Sequence, residues 1–178
     1  MNPTESIYGK LNTEPRWYAL KTRSRHEKKV DELLQQKGIT SFLPLYSTLR
    51  QWSDRKKKVT LPLFSCYLFV KIPLKDRLYV LWTDGAVHLV SFNNIPASIP
   101  EIQIDSIRKI LGEKVSIQKV SYFAVDQKVE VTYGPFKGVQ GIVKKVKGKS
   151  RLIITIDVLC QAISVEIDDD MLRPISYA

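Results

Sequence analysis

The stretch RQWSDRKKKVTLPLFSCYLFV, Arg50 to Val70, decides the fold because it joins a densely cationic segment to a strongly apolar one. Its first half carries five positive charges against the single negative charge of Asp54. Its second half is uncharged and rich in β-branched and aromatic residues, which favour β-strands. The pattern predicts a hairpin with a solvent-exposed basic tip, Arg55 to Lys58, and a long strand from Val59 to Ile72 behind it.

Regular elements are also predicted before this hairpin. A strand is expected from Arg16 to Arg23, and a β-rich segment from Ile39 to Trp52. Between them, Ser24 followed by Glu27 has the spacing of a capping box, so a helix is expected to begin there and to end before Gly38. The apolar stripe of this helix consists of Val30, Leu33 and Leu34.

After the hairpin, the pattern predicts a short helix from Leu74, a strand from Ala86 to Phe92 and a helix that opens at Pro100. The apolar face of this last helix consists of Ile104, Ile107 and Leu111. Strands and helices in this order are typical of an α+β domain, in which helices flank an antiparallel sheet.

The remaining chain has a different character. Short segments with period-two alternation, separated by glycines, run from residue 122 to residue 178 and predict a small β-barrel without helices. We therefore expect four parts in the chain. They are a flexible tail at 1–14, an α+β domain at 15–112, a linker at 113–121 and a barrel at 122–178.

The 178-residue chain carries a net charge of +10, and this charge is unevenly distributed. Residues 122–178 hold eight basic and seven acidic side chains, so nearly all of the surplus lies before them. A localised basic surplus favours a polyanionic partner, because solubility alone does not require such asymmetry.

No enzyme site, cofactor site or metal site is predicted. The two histidines, His26 and His88, have no accompanying pattern that suggests a nucleophile and its base. Cys66 and Cys160 are too far apart in sequence to suggest metal ligands, and we expect both to be reduced and buried as small hydrophobic residues. The run Asp168 to Asp170 is interpreted as a charged strand end.

No membrane segment is predicted either. The apolar runs are shorter than the roughly 18 residues that a membrane-spanning helix needs. The polar N-terminus lacks the apolar region of a secretory signal, so the expected location is the cytoplasm.

Surfaces remain as the candidate functional features. Two basic clusters could bind phosphates or could simply be solvated faces; they consist of Arg50, Arg55, Lys56, Lys57 and Lys58 at the hairpin, and of Lys21, Arg23, Arg25, Lys28 and Lys29 at the first strand–helix junction. Strand alternation predicts that Tyr67 and Phe69 share one face, with Phe64 and Cys66 on the other. An aromatic face of this kind could accept a partner helix or could pack in the core.

Three ordered blocks resemble a known family. The segments WYALKTRSRHEKKV, LPLYSTLRQWSDRKKKVTLPLFSCYLFV and VTYGPFKGVQGIV are similar to the bacterial NusG-type transcription elongation factors, over about Trp17 to Pro174. The blocks RQWSDRKKK, GKSRLIITIDVL and VEID look most like the specialised UpxY-type antiterminator paralogues. The resemblance implies an N-terminal NusG (NGN) domain and a C-terminal KOW domain with an SH3-like β-barrel.

The resemblance also implies the partners of the N-terminal domain. Its relatives dock on the clamp helices of the largest RNA polymerase subunit, and the corresponding residues are Pro44, Leu45, Tyr46, Phe64, Tyr67 and Phe69. They bridge the cleft to the second large subunit, and the corresponding residues are Leu78, Tyr79, Val80 and Leu81. Lys21, Arg23, Arg25 and His26 correspond to contacts with the non-template DNA strand, and the hairpin cluster would contact this strand or nascent RNA.

For the KOW domain, the resemblance implies a partner surface at Phe136, Val139 and Leu159. Relatives use this surface to bind a small-subunit ribosomal protein or the Rho termination factor. Many relatives have Pro-Gly where this chain has Ser65-Cys66, and Gly-Arg where it has Cys160-Gln161. These departures fit an antiterminator better than a partner of Rho.

The resulting interpretation is a monomeric, non-enzymatic elongation factor that suppresses pausing and termination at specific operons, for which surface-polysaccharide clusters are the usual targets of the resembled paralogues. One alternative is the housekeeping NusG factor, which acts with Rho at most genes. The other is a KOW-type RNA- or ribosome-binding protein, against which the nearly neutral barrel argues.

Overall fold

The computed structural model describes residues 13–51, 55–113, 118–120, 128–146 and 149–175. The chain divides into two compact units, Met1–Pro100 and Glu101–Ala178. The predicted tail at 1–14 lies outside the described residues, except for its last two positions.

The first unit is built around an antiparallel sheet. Its elements are β1 (Arg16–Thr22), α1 (Glu27–Gln36), β2 (Thr40–Phe42), β3 (Leu45–Gln51), β4 (Lys56–Pro62), β5 (Tyr67–Ile72), a 3-10 turn (Leu74–Asp76), α2 (Arg77–Leu81), β6 (Ala86–Leu89), β7 (Ser91–Phe92), β8 (Ile95–Pro96) and β9 (Ser98–Ile99). The main sheet has the order β2-β5-β1-β6, with β9 also pairing with β1. β3–β4 and β7–β8 form separate two-stranded hairpins. The predicted antiparallel α+β arrangement is therefore confirmed.

The core of this unit lies between one face of the sheet and the two helices. Tyr18 and Leu20 of β1 oppose Val70 and Leu68 of β5, and directly opposed residues share a face. Helices α1 and α2 cover this face with apolar side chains. The buried members contributed from outside β1 and β5 are Val30, Leu34, Leu74, Val80 and Leu89. Alternation along β1 and β5 therefore places their odd-numbered residues on the opposite face.

Helix α1 does not begin at the predicted capping box. Its N-cap residue is His26 rather than Ser24, and no side chain caps this end. Glu27, the other half of the predicted box, instead accepts a hydrogen bond from the backbone N–H of Cys66 at 2.8 Å. The predicted end is confirmed, since Gly38 follows the helix with a φ of +74°, a conformation that favours glycine.

The predicted long strand from Val59 to Ile72 is wrong. It is two strands in different sheets, because β4 pairs with β3 whereas β5 pairs with β1 and β2. A turn over residues 63–66 separates them, and Cys66 takes a left-handed φ of +66° there. Lys56 to Lys58, predicted in a loop tip, lie within the paired part of β4.

Two other predicted strands are interrupted. The segment Ile39 to Trp52 contains β2 and β3, which are separated at Leu43 and Pro44. The carbonyl of Pro44 accepts a hydrogen bond from the N–H of Leu63 at 2.8 Å, so this corner is tied to the turn between β4 and β5. The segment from Ala86 to Phe92 likewise contains two strands, β6 and β7.

The second unit combines a helix with six antiparallel strands. Its elements are α3 (Glu101–Gly112), β10 (Gln118–Val120), β11 (Lys128–Val131), β12 (Gln140–Val146), β13 (Lys149–Ile156), a 3-10 turn (Asp157–Leu159), β14 (Gln161–Glu166), a 3-10 turn (Asp169–Met171) and β15 (Leu172–Pro174). The strand order is β10-β14-β13-β12-β11-β15. Within the described ranges no pairing joins the two outer strands, so the pairings do not form the predicted closed barrel.

Helix α3, which we predicted as part of the N-terminal domain, groups with the second unit. Gln103 Nε2 donates to Asp157 Oδ2 at 3.1 Å, and Lys109 Nζ donates to the carbonyl of Lys137 at 2.9 Å. The fully buried stripe of this helix consists of Ile104, Ile107 and Ile110, where Leu111 was expected in the third place. Part of the predicted linker at 113–121 forms β10. Among the described residues, no helix is both long and apolar enough to cross a membrane.

Candidate nucleic-acid and protein interfaces

The predicted basic cluster at the β1–α1 junction is brought together at one surface. Arg23 and Arg25 are exposed, whereas Lys21 and His26 are half-buried. Arg25 has a φ of +64°, and the Nδ1 of His26 lies 2.9 Å from the carbonyl of Ser24. Lys28 and Lys29, on the first turn of α1, also have exposed side chains.

An acidic residue that the sequence analysis did not single out lies within this cluster. Lys29 Nζ is 2.7 Å from Asp84 Oδ2, and an Arg23 guanidinium nitrogen is 3.7 Å from Asp84 Oδ1. The hydrogen bond and charge of Lys29, with the charge of Arg23, hold the pKa of the exposed Asp84 carboxyl below its usual value. Asp84 therefore fixes two cations of the cluster beside the loop that follows α2.

The buried carboxylate of Glu27 organises the junction from below. Glu27 is 6% exposed, and its Oε1 accepts the Cys66 N–H at 2.8 Å. The Cys66 carbonyl in turn accepts the N–H of Thr22 at 2.8 Å. Residues at both ends of the β1–α1 junction thus hold the β4–β5 turn, which links the basic cluster to the aromatic segment.

The hairpin cluster lies on β3 and β4. Cα pairing places Arg50 opposite Lys57 and Gln51 opposite Lys56. For Arg50 and Lys56 the structure describes only the backbone. Arg55, Lys57 and Lys58 are exposed. Residues 52–54, which include the acidic member of this segment, lie outside the described ranges. The described part of the hairpin is thus a ribbon with several cations at the end where its two strands are connected.

The six residues predicted to bind the polymerase clamp divide by exposure. Pro44, Phe64 and Phe69 are buried, whereas Leu45, Tyr46 and Tyr67 are half-buried. Burial of Phe64 and Phe69, at 2% and 0% exposure, makes them core residues in this structure. The surface that a partner could reach directly is therefore formed by the other three.

Aromatic rings form a connected row on the sheet face away from α1 and α2. Phe42 and Phe69 are directly opposed and stack with ring centroids 6.1 Å apart. Phe64 meets Phe69 edge-on at 5.8 Å, so these two rings are neighbours rather than on opposite faces as predicted. On the same face, Lys71 Nζ lies 5.9 Å from the centre of the Trp17 ring. Strand alternation places Tyr67 on this same face, next to Phe69.

The predicted second polymerase contact lies on α2. Leu78 and Tyr79 are 51% and 47% exposed, Leu81 is half-buried and Val80 is fully buried in the core. The adjacent Trp82, which was not predicted as a site residue, is 75% exposed. A tryptophan followed by Thr-Asp-Gly, a turn sequence, was the signal that could have indicated an exposed ring.

Both cysteines differ from the expectation of burial. Cys160 is exposed and Cys66 is half-buried, and both are free thiols. Each has a left-handed φ, of +48° and +66° respectively. The backbone at both positions therefore has a shape that favours glycine.

The predicted partner surface of the second unit is mostly internal. Phe136 and Val139 are 5% and 0% exposed, and Leu159 is half-buried.

Elsewhere in this unit, the Tyr133 hydroxyl donates to the Asp170 carboxylate, which raises the pKa of Tyr133. In the described part of the chain, no three His, Cys, Asp or Glu side chains are grouped so that they could hold a metal ion.

Comparison with solved structures establishes the fold. The structure described as "Domain interaction in Thermotoga maritima NusG" superposes with a TM-score of 0.54 at 21% identity, and the match covers 92% of this chain and 98% of that one. The likeness spans nearly the whole of both chains. The architecture is therefore that of a NusG-type α+β protein.

Sequence comparison establishes the family. The family described as "Transcription termination factor nusG" matches residues 15–108, more than half of the chain. The "Transcription termination/antitermination protein NusG" of Rickettsia typhi is 23% identical over 175 residues, which cover 91% of both chains, and the protein of the same description from Rickettsia prowazekii matches equally. The chain belongs to the NusG family of transcription termination and antitermination factors.

Proposed function

We propose that this chain binds transcribing RNA polymerase and suppresses pausing and termination. The observation that carries the proposal is the family match over residues 15–108, because it covers the described unit that holds the basic junction, the hairpin and the aromatic row. Two surfaces of different chemistry, one cationic and one apolar, suit a factor that holds a protein and a nucleic acid together.

The clamp helices of the largest subunit would dock at Leu45, Tyr46 and Tyr67. These side chains are half-buried, so they offer apolar area while their positions are already fixed by the sheet and hairpin. Burial of apolar surface contributes roughly 25 cal/mol per Å² before the costs of association. Pro44, Phe64 and Phe69 support this dock from the interior.

The second large subunit would contact α2 through Leu78 and Tyr79, whose side chains are exposed. Val80 anchors the helix from the core side. Lys37, which directly follows α1, would help to orient the Tyr79 ring, since its Nζ lies 5.0 Å from the centre of that ring.

The nucleic-acid partner would be the displaced non-template strand, bound through Arg23, Arg25 and the hairpin cations. Exposed cations bind phosphates without reading sequence, and each phosphate contact adds salt-dependent affinity. The target operons would be those of the resembled antiterminators, which are surface-polysaccharide clusters. This assignment rests on the UpxY-like sequence blocks alone.

For the C-terminal part, we propose a KOW domain at 122–178 with an SH3-like fold, preceded by an NGN domain at 15–112 and a linker at 113–121. The six-stranded antiparallel sheet supports this proposal. A small-subunit ribosomal protein would bind near Leu159, the half-buried member of the predicted surface, while Phe136 and Val139 shape it from within.

The test is a pull-down of purified RNA polymerase with the wild-type chain and a Tyr46→Ala/Tyr67→Ala variant, at low and moderate salt. We expect the variant to lose binding that the wild type keeps at moderate salt, and to lose terminator read-through in vitro. Phe92→Ala serves as the control, because Phe92 is an exposed aromatic residue outside the proposed contacts. Folded wild-type protein that fails to bind polymerase would contradict the proposal.

A further inference from the structure

The loop after α2 carries an aromatic side chain that does not pack in the core. Trp82 is 75% exposed, the largest exposed fraction among the large apolar side chains of the described residues. Trp17, by contrast, is 2% exposed. The Trp82 indole is thus free to offer its flat face to a ligand, and the rest of its loop shows which kind of ligand fits.

The backbone that carries Trp82 is held firmly. The N–H of Trp82 donates to the carbonyl of Leu78 at 2.9 Å, and the N–H of Thr83 donates to that of Val80 at 3.1 Å. The Thr83 side chain is buried and accepts a hydrogen bond from Lys37 Nζ at 2.8 Å. A ring on a fixed backbone loses less conformational entropy when a ligand binds it.

The same loop is pressed against the basic junction. The N–H of Arg23 donates to the Gly85 carbonyl at 2.8 Å. A Cβ on Gly85 would lie 2.9 Å from a methyl carbon of Val30 and 3.1 Å from the Cβ of His26, and the φ of +93° also favours glycine. Glycine at this position therefore permits the close approach of the loop to the first turns of α1.

This approach brings cations of the junction to the loop that carries Trp82. Asp84, two residues after Trp82, holds the Lys29 ammonium at 2.7 Å and an Arg23 guanidinium nitrogen at 3.7 Å. The exposed Arg25 and Lys28 belong to the same junction. Proteins that bind single-stranded nucleic acids combine an exposed aromatic ring with nearby cations. The bases stack on the ring, and the phosphates bind the cations.

We propose that Trp82 is a stacking platform for an unpaired base of single-stranded DNA whose phosphates lie along Arg23, Arg25, Lys28 and Lys29. This inference deepens the proposed function and rests on it, because the displaced strand at a transcribing polymerase is the source of such DNA. Stacking is tolerant of sequence, so the contact adds affinity and register rather than base readout. A duplex would not bind in this way, since its base faces are already stacked.

The test measures binding of the full-length chain to a labelled thymidine oligonucleotide by fluorescence anisotropy. A second oligonucleotide has the same phosphates but abasic sites in place of the bases. We expect Trp82→Leu to weaken binding to the base-containing strand by roughly tenfold, the scale of one stacking contact, and to leave the abasic strand unaffected. Trp82→Phe keeps a ring and should stay close to wild type, as should Phe92→Leu, which alters another exposed aromatic residue.

The inference is overturned if folded Trp82→Leu binds the base-containing strand as wild type does, or if it loses the same affinity for the abasic strand. An equal loss on single-stranded RNA of the same length would overturn the assignment to DNA. The assay contains no polymerase, so its outcome is separate from that of the pull-down. Failure of stacking leaves polymerase binding by wild type intact, whereas failure of the proposed function appears in the pull-down.

Discussion

At the scale of single residues, Glu27 links the two surfaces of the first unit. Its carboxylate is almost fully buried, and its described partner is the backbone N–H of Cys66 in the β4–β5 turn. A hydrogen bond to a charged acceptor is stronger than a neutral one, and a buried donor without a partner is costly. Glu27 thus ties the start of α1, which carries the basic junction, to the turn that leads into Tyr67.

We expect Glu27→Ala to lower the free energy of unfolding by about 1–3 kcal/mol, because it removes the acceptor of the part-buried Cys66 N–H. Urea denaturation followed by circular dichroism measures the change. Glu32→Ala is the matched control, since Glu32 lies on the exposed side of the same helix and its loss should change stability by less than about 0.5 kcal/mol. Equal stability of the two variants would show that the Glu27 bond contributes nothing.

Cys160 offers a second test at this scale, because its left-handed backbone constrains which side chains fit. We expect Cys160→Gly to keep or slightly raise stability, and Cys160→Val to lower it by about 1–2 kcal/mol, since a β-branched side chain is strained at positive φ. The difference in urea midpoint between the two variants checks this. Cys160 is exposed, so lost packing should add little to either value. A valine variant as stable as the glycine variant would contradict the assigned backbone conformation.

At the scale of elements, the hairpin β3–β4 gathers cationic residues near the segment that connects its two strands. Cα pairing places Arg50 opposite Lys57, and the side chains of Lys57 and Lys58 are exposed. Exposed cations can reach phosphates, and each phosphate contact adds salt-dependent affinity.

We expect Lys58→Gln to weaken binding of single-stranded DNA and to reduce the slope of log affinity against log salt by about 0.7, the value for one phosphate contact on a single strand. Titrations at several salt concentrations measure the slope. Lys75→Gln removes an equally exposed lysine from the 3-10 turn before α2 and should leave the slope unchanged. Equal slopes for Lys58→Gln and wild type would exclude this lysine from the contact.

Element type was more predictable from the sequence than element boundaries. The stripe Val30, Leu33 and Leu34 located α1, and the apolar run after Lys58 located β-structure, because periodicity follows directly from burial. The break within that run was hidden, since it depends on a left-handed Cys66, and cysteine is not a turn signal.

For the candidate sites, the distribution of charge in the sequence identified the basic residues. Their fixation by Asp84 depends on tertiary contacts between distant segments, which spacing does not encode.

At the scale of the whole molecule, α3 lies both within the family match and within the second compact unit. The family match extends to residue 108, within this helix, whereas the compact unit that contains the helix begins at Glu101. Contacts from Gln103 to Asp157 and from Lys109 to Lys137 bind it to the second unit. The compact unit Glu101–Ala178 therefore includes a helix that precedes the proposed KOW domain at 122–178.

We expect a fragment of residues 101–178 to resist urea better than a fragment of residues 113–178, because the shorter one lacks α3 and its contacts with β12 and β13. Circular dichroism should show the helix in the longer fragment. A fragment that begins at 101 with Gln103→Ala and Lys109→Ala provides an intermediate case, since it keeps the apolar stripe but loses both hydrogen bonds. Identical midpoints for the long and short fragments would contradict the grouping of α3 with this unit.

The central position of β1 has a consequence for how the chain is made. The ribosome synthesises β1 before every strand that pairs with it, since β5, β6 and β9 all follow the hairpin β3–β4. The hairpin can close as soon as Pro62 leaves the exit tunnel, whereas β1 must wait for its first partner, β5. During that interval the apolar side chains of β1 are without their sheet, and the local hairpin is the first native strand pairing that the nascent chain can form.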